Sequence, residues 1–271
     1  MLLCVEKEDA INIKVVRAMT KLTRKNYHSP EMQQAYMGVS QYKLFCECEK
    51  KAMAIIKGEW QPKPSEALLV GSYVDEYFNG DLTEFRQEHP ELFTKQGELK
   101  APYKKAEQII TRIIRDKYFR KKLGGKRQVI MTGMLGGVEW KIMIDSLHRD
   151  LIVDGKVMKD CDDVYKPEIG YVPFWKAYGY DIQGAVFQTI ASQTLGKVLP
   201  FELAVATKED EPDLRIFRLT PNTANAALGE VRSNVVRFDK IKKGELKPTG
   251  CGKCAYCRSQ KTLSKKDTEE F

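Results

Sequence analysis

The chain has 271 residues, of which 42% are hydrophobic and 10% aromatic, so it can bury a sizeable core and is not a disordered chain. No apolar run reaches the ~18 residues of a membrane-spanning helix, and the first residues turn acidic too early for a signal peptide, which predicts a cytoplasmic protein with no membrane partner. The net charge of +8 suits a polyphosphate such as nucleic acid, because neutralised phosphates release counterions, although lysines that serve only solubility would give the same charge.

The first half of the chain is predicted to be helical after a polar N-terminal arm or small element at residues 1–38. Apolar residues at helical spacing predict helices at 40–57, 65–78 and 103–123. Gly71, inside the second of these helices, would let another group pack or approach closely there. Residues 82–99 are predicted to form a loop because they contain Pro90 and Gly97.

The second half of the chain alternates between strands and helices. Apolar and alternating runs predict strands at 127–134, 138–144, 151–158, 201–208 and 214–219. Helical spacing predicts helices at 180–195 and 223–241, and the proline- and aromatic-bearing segment 165–177 is predicted to be a loop. This order predicts an α/β fold in which a mixed sheet is flanked by helices.

Two acidic residues and a lysine are predicted to meet on the hairpin of the second and third strands. Asp145 ends one strand, and Asp154 and Lys156 are two residues apart on the next, so their side chains share a face. A turn centred near Arg149 places Asp145 opposite Asp154, where two carboxylates can share a divalent ion. Charges in an apolar strand are costly unless they pair or bind metal, so a structural salt bridge of Lys156 is the alternative. The chemistry that fits is phosphodiester hydrolysis, in which the lysine orients water.

Four motifs follow one another in the sequence: Gly71-Ser-Tyr-Val-Asp75, Ile144-Asp145, Ile152-Val-Asp154-Gly-Lys156 and Tyr180-Asp-Ile-Gln183-Gly-Ala-Val-Phe187. Their order and spacing resemble the PD-(D/E)XK nucleases of the RecB and RecE branch, above all the phage and prophage exonucleases of the exodeoxyribonuclease VIII type. The resemblance implies a restriction-endonuclease-like α/β core over residues 39–245, with a cysteine-bearing loop and polar tail at 246–271.

The resemblance also assigns roles to residues. It implies that Asp145 and Asp154 bind Mg²⁺ or Mn²⁺, that Lys156 positions the attacking water, and that Gln183 is a further catalytic residue that supports the site. Asp75 stands where the family has histidine, and we expect it to assist as a carboxylate ligand.

The implied function is exonucleolytic digestion of duplex DNA ends, in phage or prophage recombination or DNA repair within the bacterial host cytosol. A single-strand annealing protein and further copies of the chain are the implied partners. A single-strand or nick-directed nuclease of the iron–sulfur RecB-like type is one alternative. A catalytically decayed DNA-binding protein is another, because Asp75 departs from the family pattern and Phe187 replaces the usual tyrosine and removes a hydroxyl.

Seven cysteines, an odd number with three packed into residues 251–257, argue for metal ligation over disulfides in a cytosolic chain. Cys251, Cys254 and Cys257 can face one centre, and either Cys46 or Cys48 is the candidate fourth ligand. The resemblance to iron–sulfur nucleases implies a [4Fe-4S] cluster. The spacing is tighter than usual in that group, which leaves Zn²⁺ or metal-free thiols as alternatives.

Three aromatic residues, Tyr171, Trp175 and Tyr178, lie between the lysine-bearing strand and the Gln183 helix. They are candidates for DNA binding, because aromatic rings can stack on the bases of a frayed end. Packing of the same rings onto the core is the alternative.

Overall fold

The computed structural model describes residues 21–61, 65–167, 169–264 and 268, so most of the predicted N-terminal arm lies outside the described residues. The chain divides into two compact units. Unit 1 comprises Met1–Pro62, Gly136–Trp140 and Arg232–Phe271, and unit 2 comprises Lys63–Leu135 and Lys141–Val231.

The described residues form helices and strands in a mixed order. The helices are α1 Pro30–Ala35, α2 Val39–Glu47, α3 Glu49–Ile56, α4 Glu66–Asn79, α5 Leu82–Glu88, α6 Ala101–Arg115, α7 Lys117–Leu123, α8 Phe174–Ala177, α9 Tyr180–Leu195, α10 Pro221–Lys242 and α11 Ala255–Ser259. A single 3₁₀ turn spans Pro90–Leu92. The strands are β1 Lys126–Leu135, β2 Val138–Leu147, β3 Ile152–Met158, β4 Val164–Lys166, β5 Gly170–Val172, β6 Phe201–Thr207 and β7 Leu214–Arg218.

Five strands form the main sheet in the order β1-β2-β3-β6-β7, which puts β3 at its centre. β3 pairs antiparallel with β2 and parallel with β6, and β6 pairs antiparallel with β7. A parallel pair needs a long crossover, and the segment containing α9 supplies it. β4 and β5 form a separate two-stranded hairpin. The predicted mixed sheet flanked by helices is therefore confirmed.

The core of unit 2 lies where helices α4, α6 and α7 pack on β3 and β6. Ile109 and Ile113 from α6 and Val153 from β3 are buried in one cluster with Tyr73 and Ala204. On α9, Gly184 lies so close to Phe201 of β6 that an added Cβ would be 2.5 Å from the Phe201 Cδ1 atom. The helices thus bury both flanks of the central strands.

The core of unit 1 is built from aromatic rings. Tyr42 and Phe45 on α2 pack against Phe238, with ring centroids 5.4 Å and 5.0 Å away. Trp140 lies 5.8 Å from Tyr42, and its backbone pairs with Met37 in a parallel bridge. Residues far apart in sequence therefore share one core.

Two predicted helices are each broken in the structure. The predicted helix 40–57 is interrupted at Cys48, whose backbone is extended with φ −169° and ψ 111°. The predicted helix 103–123 begins at Ala101 and breaks at Asp116, whose side chain accepts a hydrogen bond from the Phe119 amide and caps α7. Helical spacing continues across both breaks, so the apolar pattern alone did not reveal them.

Two predicted loops contain regular structure, so those predictions were wrong. Residues 82–99 contain α5, which is held because Arg86 contacts Tyr73 and Glu107 on neighbouring helices. Residues 165–177 contain the β4–β5 hairpin and the short helix α8. Short elements of this kind depend on tertiary contacts, which a single sequence does not display.

No described residue packs closely at Gly71, because a Cβ added there would meet nothing within 4 Å. None of the helices in the described ranges is both long and apolar enough to cross a membrane.

Two helical glycines give a matched test of this packing. Gly184→Ala should lower the free energy of unfolding by about 1–3 kcal/mol, because the new methyl group collides with the Phe201 ring. Gly71→Ala should raise it by about 0.5–1 kcal/mol, because alanine favours the helix and the space is open. Urea denaturation measures both, and a Gly184→Ala variant as stable as Gly71→Ala would contradict the packing.

Candidate active site

The central hairpin of unit 2 brings the two predicted acids and the lysine together. The register pairs Ser146 with Val153, and its continuation sets Asp145 opposite Asp154. Lys156 Nζ lies 2.5 Å from Asp154 Oδ2 and 3.7 Å from Asp145 Oδ2, so one ammonium group faces both carboxylates. The Asp154 side chain is 1% exposed and that of Asp145 is 20% exposed. Asp145 is therefore the carboxylate that solvent can reach.

Asp154 is held by its neighbours on both sides. Gln183 Nε2 on α9 donates a 2.7 Å hydrogen bond to Asp154 Oδ1. Asp154 Oδ2 contacts Lys156, but no described residue gives it an aligned hydrogen bond. Burial raises the pKa of Asp154 to about 7 against the opposing charge of Lys156, and the Asp145 charge adds to the rise. Burial favours the neutral form of Lys156, but the two carboxylates outweigh it and raise the pKa of Lys156 above its usual value.

Asp75 on α4 lines a cleft that Lys156 also lines. Arg127 Nη2 lies 3.1 Å from Asp75 Oδ1 and also donates to Asn79 Oδ1, which fixes the carboxylate. Burial, and then the Asp145 charge, raise the pKa of Asp75, while Arg127 opposes the rise. Because 47% of the Asp75 side chain is exposed, solvent screening moderates these effects.

The cleft beside these groups has mixed polar and apolar walls within unit 2. Its lining includes Gly71, Asp75, Arg127, Gly155 and Lys156. The open space at Gly71 therefore faces this cleft instead of a packed neighbour.

Two residues of the site were not singled out from the sequence. The ring of Tyr180 lies 6.0 Å from Lys156 Nζ, and its hydroxyl donates to Met158 Sδ at 3.1 Å. Its spacing of three residues from Gln183, which places both on one helix face, is a signal that could have found it. Arg127 carried no such signal, because it belongs to a basic run.

Phe187 and the predicted DNA-binding aromatics lie in different surroundings. Phe187 is buried, with its ring 6.3 Å from Phe201, so it belongs to the core. Tyr171 on the β4–β5 hairpin is 74% exposed and lies beside the exposed Tyr165, with ring centroids 5.4 Å apart. Tyr178 is half-exposed, while Trp175 is partly buried. Tyr171 is thus available to a ligand and is not packed onto the core.

A second group of possible ligands lies in unit 1. The sulfur atoms of Cys48, Cys251, Cys254 and Cys257 all lie within 4.8 Å of one another, and this group could hold a metal ion. Of the two candidates for the fourth sulfur, Cys48 joins the group and the exposed Cys46 does not.

The carboxylate site fits a divalent metal ion. Asp145 and Asp154 supply oxygen donors only, which Mg²⁺ prefers, and the buried Asp154 Oδ2 has no aligned hydrogen bond from the described residues. Two strand-borne acids with a lysine two residues after the second, on a mixed sheet flanked by helices, are the arrangement of a PD-(D/E)XK nuclease.

Comparisons with known proteins agree with this class. Residues 38–260 match the family described as "PDDEXK-like domain of unknown function (DUF3799)", and the chain belongs to this family. The chain is also similar to a crystal structure of a "Putative exonuclease" from Eubacterium rectale, with 47% sequence identity and a TM-score of 0.88 over 91% of this chain and 96% of that chain. A comparison with curated proteins finds no match.

The raised pKa of Asp154 predicts a pH effect on stability in the presence of a chelator. Its pKa in the folded chain, about 7, exceeds its ordinary value of 3.8, so the folded chain binds more protons than the unfolded chain between these values. This carboxyl group therefore makes the free energy of unfolding fall as pH rises through that window. Asp154→Asn should remove this contribution, as urea denaturation at a series of pH values would show.

The exposed Asp163→Asn variant is the matched control, because it makes the same substitution away from the site. Identical pH profiles for Asp154→Asn and Asp163→Asn would contradict the prediction.

Proposed function

We propose that this nuclease hydrolyses phosphodiester bonds at duplex DNA ends, with Mg²⁺ or Mn²⁺ as its cofactor. The observation that carries the proposal is the convergence of Asp145, Asp154 and Lys156 beside an open cleft. The neighbour named as an exonuclease supports action at ends, and the net charge of +8 suits a DNA substrate. Membership of the RecE-like branch, and a role in phage recombination or repair in the bacterial cytoplasm, rest on the motif resemblance.

Asp145 and Asp154 would hold the ion, and Asp75 would assist. The ion would supply positive charge that stabilises the charge developing on the scissile phosphate. Gln183 donates a hydrogen bond to the Oδ1 atom of Asp154, and the Gly155 amide donates to Asp145 Oδ2 at 3.3 Å. These hydrogen bonds hold both carboxylates in a fixed geometry before substrate arrives.

Lys156 would orient the attacking water and offset negative charge. The carboxylates raise the pKa of Lys156, which favours the protonated ammonium form, and that form donates hydrogen bonds. The proposed role of this ammonium group is to position the water and to offset negative charge.

Lys156→Ala tests this role. Removing the ammonium group should lower Mg²⁺-dependent digestion of linear duplex DNA at least about 100-fold, because a charge aimed at the reacting phosphate is lost. Lys159→Ala, at a side chain that is 93% exposed, is the matched control and should keep full activity. Circular dichroism verifies folding, and full activity in a folded Lys156→Ala variant would contradict the role assigned to Lys156.

A nuclease directed at single strands or nicks is the second candidate, and the exposed pair Tyr165 and Tyr171 favours it. Unpaired bases stack on accessible aromatic rings, whereas a closed duplex offers only its end. Digestion of blunt duplex, overhang, nicked and single-stranded substrates, with each end blocked in turn, separates the two candidates. DNA binding without cleavage in either metal ion would instead support a decayed site.

Tyr171→Ala tests the stacking role directly. Stacking of one base contributes ~1–3 kcal/mol, so loss of the ring should weaken binding to a single-stranded overhang by about 5- to 150-fold. Tyr118→Ala on α7, where the side chain is also exposed, should leave binding unchanged. Fluorescence anisotropy in a chelator measures both affinities without cleavage, and equal affinities would contradict the role.

A single-strand annealing protein and other copies of the chain are the partners that fit this proposed function. The first would coat the strand that an end-directed nuclease exposes.

A further inference from the structure

Four cysteine sulfur atoms of unit 1 lie close together. The sulfurs of Cys48, Cys251, Cys254 and Cys257 all lie within 4.8 Å of one another, and those of Cys48 and Cys257 are 3.5 Å apart. None of these four cysteines forms a disulfide. Four thiols thus gather at one centre in which no two are bonded to each other.

The separation of the sulfurs discriminates between metal centres. A tetrahedral ion with metal–sulfur bonds of about 2.3 Å sets its four sulfurs about 3.8 Å apart. The cysteine sulfurs around a [4Fe-4S] cluster lie outside the cube, at corners about 6 Å apart. Distances that all stay within 4.8 Å match the single ion and are too short for the cluster.

We propose that Cys48, Cys251, Cys254 and Cys257 bind one Zn²⁺ ion in a closed structural site. Four thiolates are one of the donor sets that zinc takes in structural sites. Two-residue spacings between cysteines occur in both zinc and iron–sulfur sites, so the separations of the sulfurs carry the choice of zinc. This proposal does not rest on the proposed nuclease function, because its residues belong to unit 1 and those of the carboxylate site belong to unit 2.

Backbone amides are aimed at the sulfurs. The amides of Cys251, Cys254 and Cys257 donate to the sulfurs of Cys48, Cys251 and Cys254 at 3.4, 3.3 and 3.4 Å. Such donors stabilise the negative charge of thiolates and orient them toward a shared ion.

Two glycines give the loop its shape. Gly252 has φ +72°, a left-handed conformation that glycine adopts without strain and that turns the chain between Cys251 and Cys254. A Cβ at Gly250 would lie 3.2 Å from the Cys257 sulfur, so a larger residue would crowd a ligand.

A polar network fixes the loop next to Cys48. Glu49 accepts hydrogen bonds from the amide and hydroxyl of Thr249 at 2.7 and 2.6 Å, and it also pairs with Arg237. The Lys50 amide donates to the Thr249 carbonyl at 3.0 Å. The break between α2 and α3 leaves Cys48 with an extended backbone between the two helices. The ligands are therefore positioned by contacts other than the ion itself.

The consequence is a cross-link between distant parts of the chain. Cys48 and Cys251 are 203 residues apart, and an ion that joins them ties the loop of α11 to the junction of α2 and α3. A site with four protein sulfurs has no open position for substrate, so the ion would stabilise the fold and take no part in hydrolysis.

Metal analysis of protein purified without oxygen tests the proposal. We expect about one zinc per chain, with no iron and no acid-labile sulfide. Iron with labile sulfide would overturn the proposal, as would iron alone or a preparation without metal that takes up no zinc.

Cysteine variants test which sulfurs bind. Cys48→Ser and Cys254→Ser should lose the zinc and lower the melting temperature, whereas Cys46→Ser and Cys161→Ser, which lie outside the group, should keep it. Loss of zinc in Cys46→Ser but not in Cys48→Ser would overturn the assignment of the fourth ligand.

Exchange of Co²⁺ into the unmodified chain covers the case in which the serine variants fail to fold. The visible spectrum should be that of tetrahedral cobalt with four thiolates, and added Zn²⁺ should bleach it. An octahedral spectrum, or one with fewer thiolates, would overturn the proposal.

Discussion

The buried carboxylate of Asp154 is the constraint on which the rest of the site depends. It lies on the central strand of the sheet, where an unpaired charge would cost several kcal/mol. Lys156 supplies the opposite charge from the same strand, and Gln183 supplies a hydrogen bond from α9. The parallel pairing of β3 with β6 requires a crossover, and that crossover contains the helix that bears Gln183. The same crossover that the sheet topology requires therefore also supplies the hydrogen bond to Asp154.

The two carboxylates of the hairpin differ in a way that suits catalysis. Asp154 is enclosed and anchored, while Asp145 is partly open to solvent and is held by the Gly155 amide. Burying charges seldom increases stability, so the largely buried group of Asp145, Asp154 and Lys156 favours a functional site over a structural one. The cysteine group of unit 1 differs from the carboxylate site, since its possible ligands are all sulfur atoms and belong to another unit than the acids. The proposed catalytic groups and the proposed structural ligands are thus different residues.

The sequence predicted the features that local patterns encode and missed those that depend on distant contacts. The hairpin, the facing of Asp145 and Asp154, and the mixed sheet follow from alternation and spacing. The breaks at Cys48 and Asp116 do not, because the apolar periodicity runs through them. Cys46 and Cys48 are equivalent by spacing, and only the position of the loop at 251–257 distinguishes them. Arg127 contacts Asp75 from 52 residues away, a distance at which a single sequence gives no signal.

The central claim is that the paired carboxylates of the hairpin bind a catalytic divalent ion. Calorimetric titration of Mn²⁺ into the chain tests it without requiring a substrate. The account predicts binding that Asp145→Asn greatly weakens and that Asp163→Asn, at an exposed position, leaves intact. Equal Mn²⁺ affinity in the parent chain and in Asp145→Asn would contradict it.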